Sequence, residues 1–189
     1  MRRFSFRPSL TLRGRSSRGL RGWSGKPLHP PLTDIPVGAY MLAAAFDVIS
    51  AIGNDEAWAR DFYRAASFAL IGGAAVSVLA ALTGFWDWLR STEAGTQARR
   101  TANAHAATMV TVTVLVAAGV AVRVLAFWDE SSTPGLALAF TVAAAALTAL
   151  GGTIGGSLVF DYGFNVETSG DHPVWHRSER DVAPGTHED

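Results

Sequence analysis

Four long apolar segments constrain the fold of this chain more than any other feature. They cover about residues 34–53, 67–89, 104–127 and 134–160 and contain very few charged side chains. Each reaches the ~20 residues that a helix needs to cross the ~30 Å hydrocarbon core of a bilayer. Because backbone groups in lipid must be hydrogen-bonded within their own segment, helices are the expected form. The sequence therefore predicts an all-α integral membrane four-helix bundle.

A buried helix of a soluble bundle is the alternative explanation of each apolar segment. Helices in a soluble bundle of this size need polar faces, and residues 115–122 and 136–150 offer almost none. A hydrophobic fraction of 49% would be ordinary for a soluble domain. The separation of the apolar residues into long runs is what favours membrane helices.

Charge is strongly separated along the chain, although the formal net charge is zero. Residues 1–33 contain basic side chains and no acidic one, whereas the charged residues after Phe160 are mostly acidic. We expect residues 1–25 to be a disordered basic arm at an anionic membrane surface, with a cleaved mitochondrial transit peptide as the alternative. Residues 26–166 would form the four-helix domain, and residues 167–189 a polar, acidic tail.

The distribution of Lys and Arg predicts the orientation of the bundle in the membrane. The loop between the second and third spans holds Arg90, Arg99 and Arg100, on the same side as the basic arm. The opposite loops hold only Arg60 and Arg64, among acidic residues. Since basic loops stay in the cytoplasm, both termini are predicted to be cytoplasmic.

Two histidines and two aspartates occur at matched positions in the two halves of the domain. His29 and Asp87 are separated by 58 residues (29 to 87), and His105 and Asp161 by 56 (105 to 161). If each half is an out-and-back helical hairpin, all four side chains return to one membrane face. The spacing predicts two tandem hairpins, an internal repeat, with a candidate site where their ends meet.

Several kinds of site fit these four residues. His29 and His105 could be axial ligands of a b-type haem, with Asp87 and Asp161 accepting the second ring N–H of each imidazole. The same four groups could bind a first-row metal ion directly, with His29 and His105 as its imidazole ligands, or transfer protons. A purely structural role is the remaining alternative, because His, Asp and aromatic residues are tolerated at headgroup level.

Charged residues also occur inside two of the spans. Asp47 lies ~20 Å along the first helix from Asp34, and Arg123 lies ~27 Å along the third helix from His105, at 1.5 Å per residue. Both helices begin on the inner side, so the two charges are expected at similar depth in the outer half. Because unpaired charges in lipid are costly, the sequence predicts a buried ion pair.

The fourth span contains two overlapping GxxxG patterns, formed by Gly151, Gly152, Gly155 and Gly156. Small residues four positions apart allow two helix backbones to approach closely. We expect these glycines to pack spans two and four together, with a homodimer face as the alternative.

Other classes of function receive little support. The absence of cysteine excludes disulfides, thiolate metal sites and a cysteine nucleophile. Pro173 interrupts the spacing of His172 and His176, so these are expected to be solvated tail residues. The basic arm has few interleaved aromatic residues, which argues against nucleic-acid binding. The sequence contains no motif that assigns an enzyme class.

Several segments resemble the bacterial DUF2231 family of predicted multi-pass membrane proteins. They are the His-Pro opening at residues 25–32, the Pro-x-Gly helix entry at residues 35–38 followed by Asp47, and the blocks at residues 83–87, 100–105 and 150–163. The resemblance implies a bacterial inner-membrane location and leaves the reaction open. Because some members of that family are joined to Rieske-type iron–sulfur domains, the resemblance also implies that the protein is associated with electron transfer.

The sequence as a whole predicts a small redox-associated membrane module with a b-type haem between His29 and His105. A non-catalytic structural or accessory subunit is the competing prediction, and a metal-binding or proton-transfer protein is the third. The lipid bilayer is the expected environment, with a redox protein or a second copy of the chain as partner.

Overall fold

The computed structural model describes Leu20 and residues 27–166. In this part of the chain four α-helices follow one another, namely α1 (His29–Gly53), α2 (Ala59–Ser91), α3 (Gln97–Ala126) and α4 (Gly135–Phe160). All four are long and apolar enough to cross a membrane. The all-α fold with four candidate spans is therefore confirmed. The acidic tail at residues 167–189 and all of the basic arm except Leu20 lie outside the described residues.

The four helices form a square when the bundle is viewed along its axis. Helix α1 packs against α2 and α4, and α3 packs against α4 and α2, whereas the pairs α1–α3 and α2–α4 have no close backbone approach. The most extensive contacts are α1 with α2 and α3 with α4. The two predicted hairpins are thus confirmed, and α1 and α3 occupy opposite corners of the square.

The first three helices begin earlier than hydropathy indicates, whereas α4 begins where it was predicted. Helix α1 starts at His29 rather than near residue 34, with proline in its first turn, where a fixed φ and a missing N–H cost nothing. Thr33 lies inside this helix and donates to the carbonyl of Pro30, so it does not cap the N-terminus. Helix α3 starts at Gln97, where the Thr96 side chain accepts the backbone N–H of Arg99. First turns that contain proline in α1 and polar residues in α3 therefore extend these helices beyond their apolar stretches.

Small residues dominate the centre of the bundle. Alanine makes up eight of the fourteen buried apolar residues of the described part of the chain, and the central cluster combines Ala43, Ala66 and Ala144 with Tyr40, Leu70, Val112 and Val116. Large apolar side chains such as Ile52 and Leu125 instead remain largely exposed on the outside. This distribution suits a lipid environment, where close backbone packing and not apolar burial holds helices together.

The glycines of α4 do not pack against α2, so that expectation from the sequence is wrong. A Cβ atom added at Gly151 would collide with the Met109 side chain of α3, and Gly155 also faces α3. Gly152 is exposed with nothing within 4 Å of an added Cβ, and Gly156 meets only the side chain of Phe160 in its own helix, at 3.9 Å. Hydropathy does not fix the rotation of a helix about its axis, and α2 is diagonal to α4. A homodimer face remains a prediction.

The α1–α2 packing generates a test with a neighbouring glycine as control. A Cβ atom at Gly73 would lie 2.8 Å from Tyr40 Cε1 and 2.9 Å from Ala39 Cβ, whereas one at Gly72 meets nothing within 4 Å. Gly73→Ala should therefore lower the free energy of unfolding by about 1–3 kcal/mol through overpacking. Gly72→Ala should leave it unchanged or raise it by up to ~1 kcal/mol through helix propensity. SDS-induced unfolding in detergent micelles measures both, and equal losses would contradict this packing.

Candidate functional site

His29 is held against α2 by a hydrogen bond to the backbone. It is the first residue of α1, and its Nδ1 lies 2.8 Å from the carbonyl oxygen of Ala80. A carbonyl oxygen can only accept, so Nδ1 carries the proton and donates it. The hydroxyl of Thr83 lies 3.5 Å from the same nitrogen, and Gly84 is beside the ring. This tautomer leaves the lone pair of a neutral imidazole on Nε2.

His105 has the same relation to α4. It lies two turns inside α3, and its Nδ1 is 2.9 Å from the carbonyl oxygen of Gly151. The ring lies beside Gly155. Here too Nδ1 must be the donor, and Nε2 carries the lone pair of the neutral ring.

The two imidazoles meet across the diagonal of the bundle. Their ring centroids are 6.4 Å apart and their planes are inclined by 82°. Because the backbones of α1 and α3 do not approach each other, these side chains bridge the two opposite helices at this end. In the part of the chain that the structure describes, neither Nε2 atom has a hydrogen-bond partner.

The two aspartates do not take the role expected from the sequence, because backbone carbonyls bind the ring N–H groups instead. Asp87 is buried in α2 and accepts the backbone N–H of Leu20 at 2.9 Å. Leu28 in turn donates its N–H to the Leu20 carbonyl at 3.0 Å, which ties the chain before α1 to this end of the bundle. Asp161 is exposed after the last turn of α4, where its own N–H donates to the Ser157 carbonyl.

A directly bound metal ion would need more ligands than this site supplies. Among the described residues, no group of three or more His, Cys, Asp or Glu side chains is close enough to hold a metal ion. The four-ligand arrangement of His29, His105, Asp87 and Asp161 is therefore not formed. Two imidazoles are the donor set that remains.

Asp47 and Arg123 form a buried ion pair at the other end of the bundle. Arg123 Nη2 donates to Asp47 Oδ2, and the two side chains are 1% and 0% exposed respectively. The Arg123 guanidinium also lies 4.9 Å from the ring centroid of Tyr63, within cation–π range. The structure thus brings together the two intramembrane charges that the sequence singled out.

Hydroxyl groups from the other elements complete the surroundings of this pair. Arg123 donates to Ser67 Oγ at 3.0 Å and to Thr141 Oγ1 at 2.9 Å, and Thr133 Oγ1 donates to Asp47 Oδ1 at 3.0 Å. All four helices or their connections therefore contribute to one network. Sequence reasoning missed these hydroxyls, and their only signal was that each is a polar residue at or within an apolar span.

The two polar clusters lie near opposite ends of the bundle. Eighteen residues separate His29 from Asp47 and His105 from Arg123, which corresponds to ~27 Å along each helix. This separation is close to the ~30 Å hydrocarbon thickness of a bilayer. The two clusters are therefore about as far apart as the two boundaries of the apolar layer.

Aromatic and basic residues surround the histidine end. The Arg99 guanidinium stacks over the Trp88 ring at 3.7 Å, and Arg90 lies 5.0 Å from the centroid of Trp86. Trp88 Nε1 donates to Asn103 at 2.7 Å. Such residues are typical of a membrane–water interface, which agrees with this end lying at headgroup level.

The fold and its two polar clusters define a small four-span helical membrane protein with paired imidazoles at one end. The chain belongs to the DUF2231 family, described as predicted membrane proteins, whose model matches residues 25–168. No curated protein and no solved structure matches the chain. The match covers all four helices and both polar clusters.

The buried ion pair should contribute far more to stability than an exposed pair in the same chain. Asp47→Ala or Arg123→Ala leaves one buried charge unpaired and should cost about 3–5 kcal/mol of unfolding free energy. The double variant should lose less unfolding free energy than the two single variants together, because it leaves no charge buried without a partner.

Arg60 and Asp129 provide the matched control. Their charged groups are 3.6 Å apart with side chains 44% and 86% exposed, and removing either should cost at most about 1 kcal/mol. SDS-induced unfolding of the wild type, the four single variants and the two double variants gives one double-mutant cycle for each pair. Additive losses for Asp47 and Arg123, or equal losses for the two pairs, would be incompatible with a stabilising buried pair.

Proposed function

We propose that this protein is a small redox-associated membrane module that holds a b-type haem between His29 and His105. The observation that supports it most is the pairing of two imidazoles, each with Nδ1 bonded to a backbone carbonyl and with Nε2 unpartnered among the described residues. Ligand histidines in proteins commonly donate their second N–H in this way, which fixes the tautomer and the ring orientation.

The donor set fits a haem better than a bare metal ion. A haem brings four equatorial nitrogens and needs only axial ligands from the protein, whereas a bare ion needs at least one more ligand than the two imidazoles. Two imidazoles on opposite sides of one ion, each bonded at about 2.0–2.1 Å, would have centroids about 6 Å apart. The observed 6.4 Å is compatible with that arrangement.

The surroundings of the rings are small and apolar, as a haem requires. Helices α2 and α4 occupy the other diagonal without close approach. The residues beside the two rings include Ala80, Gly84, Gly151 and Gly155, together with the Thr83 hydroxyl 3.5 Å from His29 Nδ1. When bound, a haem supplies a one-electron carrier. The chain would contribute axial nitrogens, fixed ring orientations and an apolar enclosure, which together set the redox potential.

The proposed location is the bacterial inner membrane, with both termini and the histidine end on the cytoplasmic side. Arg90, Arg99 and Arg100 lie in or next to the connection between α2 and α3, beside that end. The positive-inside rule supports this orientation. A redox protein or a second copy of the chain is the proposed partner.

We further propose that the two hairpins are an internal repeat. Residues of α1 and α3 that lie 76 positions apart in the sequence match in burial, as Ala43 and Gly119 do. His29 and His105 are such a pair, and so are Asp47 and Arg123. Between α2 and α4 the matching spacing is 71 residues, as from Ala80 to Gly151. At this spacing Asp87 corresponds to the buried Leu158 and therefore has no acidic counterpart. Asp161 is therefore not part of the proposed site.

A structural or accessory subunit is the second candidate. Its support is that each histidine already ties the two helices of its own hairpin together without any cofactor. Metal binding or proton transfer through the imidazoles is the third. These candidates differ in what the purified protein should contain.

The absorption spectrum of the detergent-purified protein tests the haem proposal. We expect a Soret band that is lost in His29→Ala and His105→Ala, because each removes one axial nitrogen, and kept in the tail variant His176→Ala. Elemental analysis of the same samples should find about one iron per chain. A colourless, metal-free protein would favour the structural subunit, and a colourless protein with a bound metal ion would favour the third candidate.

Single cysteines test the orientation, since the chain has none of its own. Asp55→Cys and Glu93→Cys place a thiol at exposed positions in connections at opposite ends of the bundle. A membrane-impermeant maleimide added to intact cells should label the first variant and not the second. The reverse pattern would overturn the proposed orientation.

A further inference from the structure

We propose that Gly84 and Gly155 are positioning residues that set the orientation of the two imidazoles. The proposal rests on the histidine pair of the proposed function and names the groups that hold each ring. A Cβ atom at Gly84 would lie 2.6 Å from Cε1 and 2.9 Å from Nδ1 of His29. One at Gly155 would lie 3.0 Å from Cε1 and 3.1 Å from Nδ1 of His105. Each ring therefore occupies the space that a side chain would need.

The same local arrangement occurs in both hairpins. The carbonyl that accepts the ring N–H belongs to the residue four positions before the glycine, Ala80 before Gly84 and Gly151 before Gly155. Residues four apart lie on the same helix face, and a helical carbonyl points toward the residue four positions on. We call this combination of a carbonyl and a glycine one turn later a ring seat.

A ring seat uses hydrogen-bonding capacity that the helix leaves over. A carbonyl oxygen has two lone pairs, and the helix uses one of them for the N–H four residues later. At Ala80 the Thr83 hydroxyl is a second candidate donor at 3.0 Å, but its single proton can go to the Leu79 carbonyl at 2.9 Å instead. The imidazole N–H can then take the second lone pair if the ring approaches the backbone closely. A glycine permits this approach because it has no Cβ. The glycine and the bond to Nδ1 therefore depend on each other.

The two seats differ in how much space they leave. At Gly84 the added Cβ would be closer than real Cβ contacts allow, so the His29 ring must move away from the Ala80 carbonyl. At Gly155 a shift of a few tenths of an ångström suffices. An alanine should therefore displace His29 more than His105.

The seats also determine the angle between the rings, which is 82°. If both imidazoles bound a ferric haem at this angle, they would leave the two iron d orbitals that they contact close in energy. A ferric haem in this site should then give a strongly anisotropic low-spin signal in electron paramagnetic resonance. This signal reports the ring orientation directly and does not depend on any activity of the protein.

The test compares Gly84→Ala and Gly155→Ala with Gly72→Ala and Gly152→Ala, where an added Cβ meets nothing within 4 Å. Nitrogen-15 spectra of the haem-free protein should show a protected Nδ1–H for both histidines in the wild type and in the two controls. Gly84→Ala should abolish the His29 signal, and Gly155→Ala should weaken that of His105. Haem affinity should fall about 10–100-fold in Gly84→Ala, as for other residues that orient a ligand, and the resonance signal should change shape.

A folding control distinguishes loss of the ring seat from loss of the folded structure. If Gly84→Ala is unstable, the double variant His29→Ala/Gly84→Ala should unfold at higher SDS than Gly84→Ala, because the colliding ring is gone. No recovery would overturn the proposal, as would an unchanged His29 Nδ1–H signal in Gly84→Ala. If the wild-type protein binds no haem but the Nδ1–H signals respond as described, the positioning role of Gly84 and Gly155 is supported and the proposed function is contradicted.

Discussion

The register between α1 and α3 depends on the buried ion pair of Asp47 and Arg123. The two helices lie on one diagonal, so their backbones set their relative height only indirectly, through α2 and α4, whereas the ion pair joins them directly. A charge without a partner in this environment is costly, and sliding either helix by one turn would separate the two groups by ~5 Å. Because His29 and His105 each lie 18 residues from their charged residue, the pair also aligns the imidazoles at the far end.

The bundle consequently divides its polar groups into two clusters with different properties. In the cluster around Arg123, Ser67, Thr133 and Thr141 bond to the ion pair, and among the described residues only Arg123 Nε of this cluster is buried without a partner. The imidazole cluster is left incomplete, since both Nδ1–H groups have acceptors and neither Nε2 has a partner among the described residues. The first arrangement serves stability, and the second leaves coordination capacity for a ligand. This difference is the physical basis of the proposed function.

The sequence predicted the features that depend on hydropathy and spacing along the chain. Four spans, two hairpins and the approach of His29 to His105 follow from long apolar runs of similar length. It did not predict what depends on helix rotation, such as the contact of Gly151 with α3 or the backbone partner of Asp87. Those contacts require the lateral order of the helices, and apolar spans exposed to lipid have no polar face to reveal it. The early start of α1 was missed because its first turn, with His29, Pro30 and Pro31, lies outside the apolar run.

The distance between the two imidazoles is the most direct test of this account. In the haem-free protein with labelled histidine, assigned through His29→Ala and His105→Ala, a through-space magnetic resonance contact between the two rings should be present. Asp47→Ala, which releases the register of α1 against α3, should weaken or abolish that contact. Two assigned rings without any mutual contact in the wild-type protein would contradict the arrangement on which the histidine site depends.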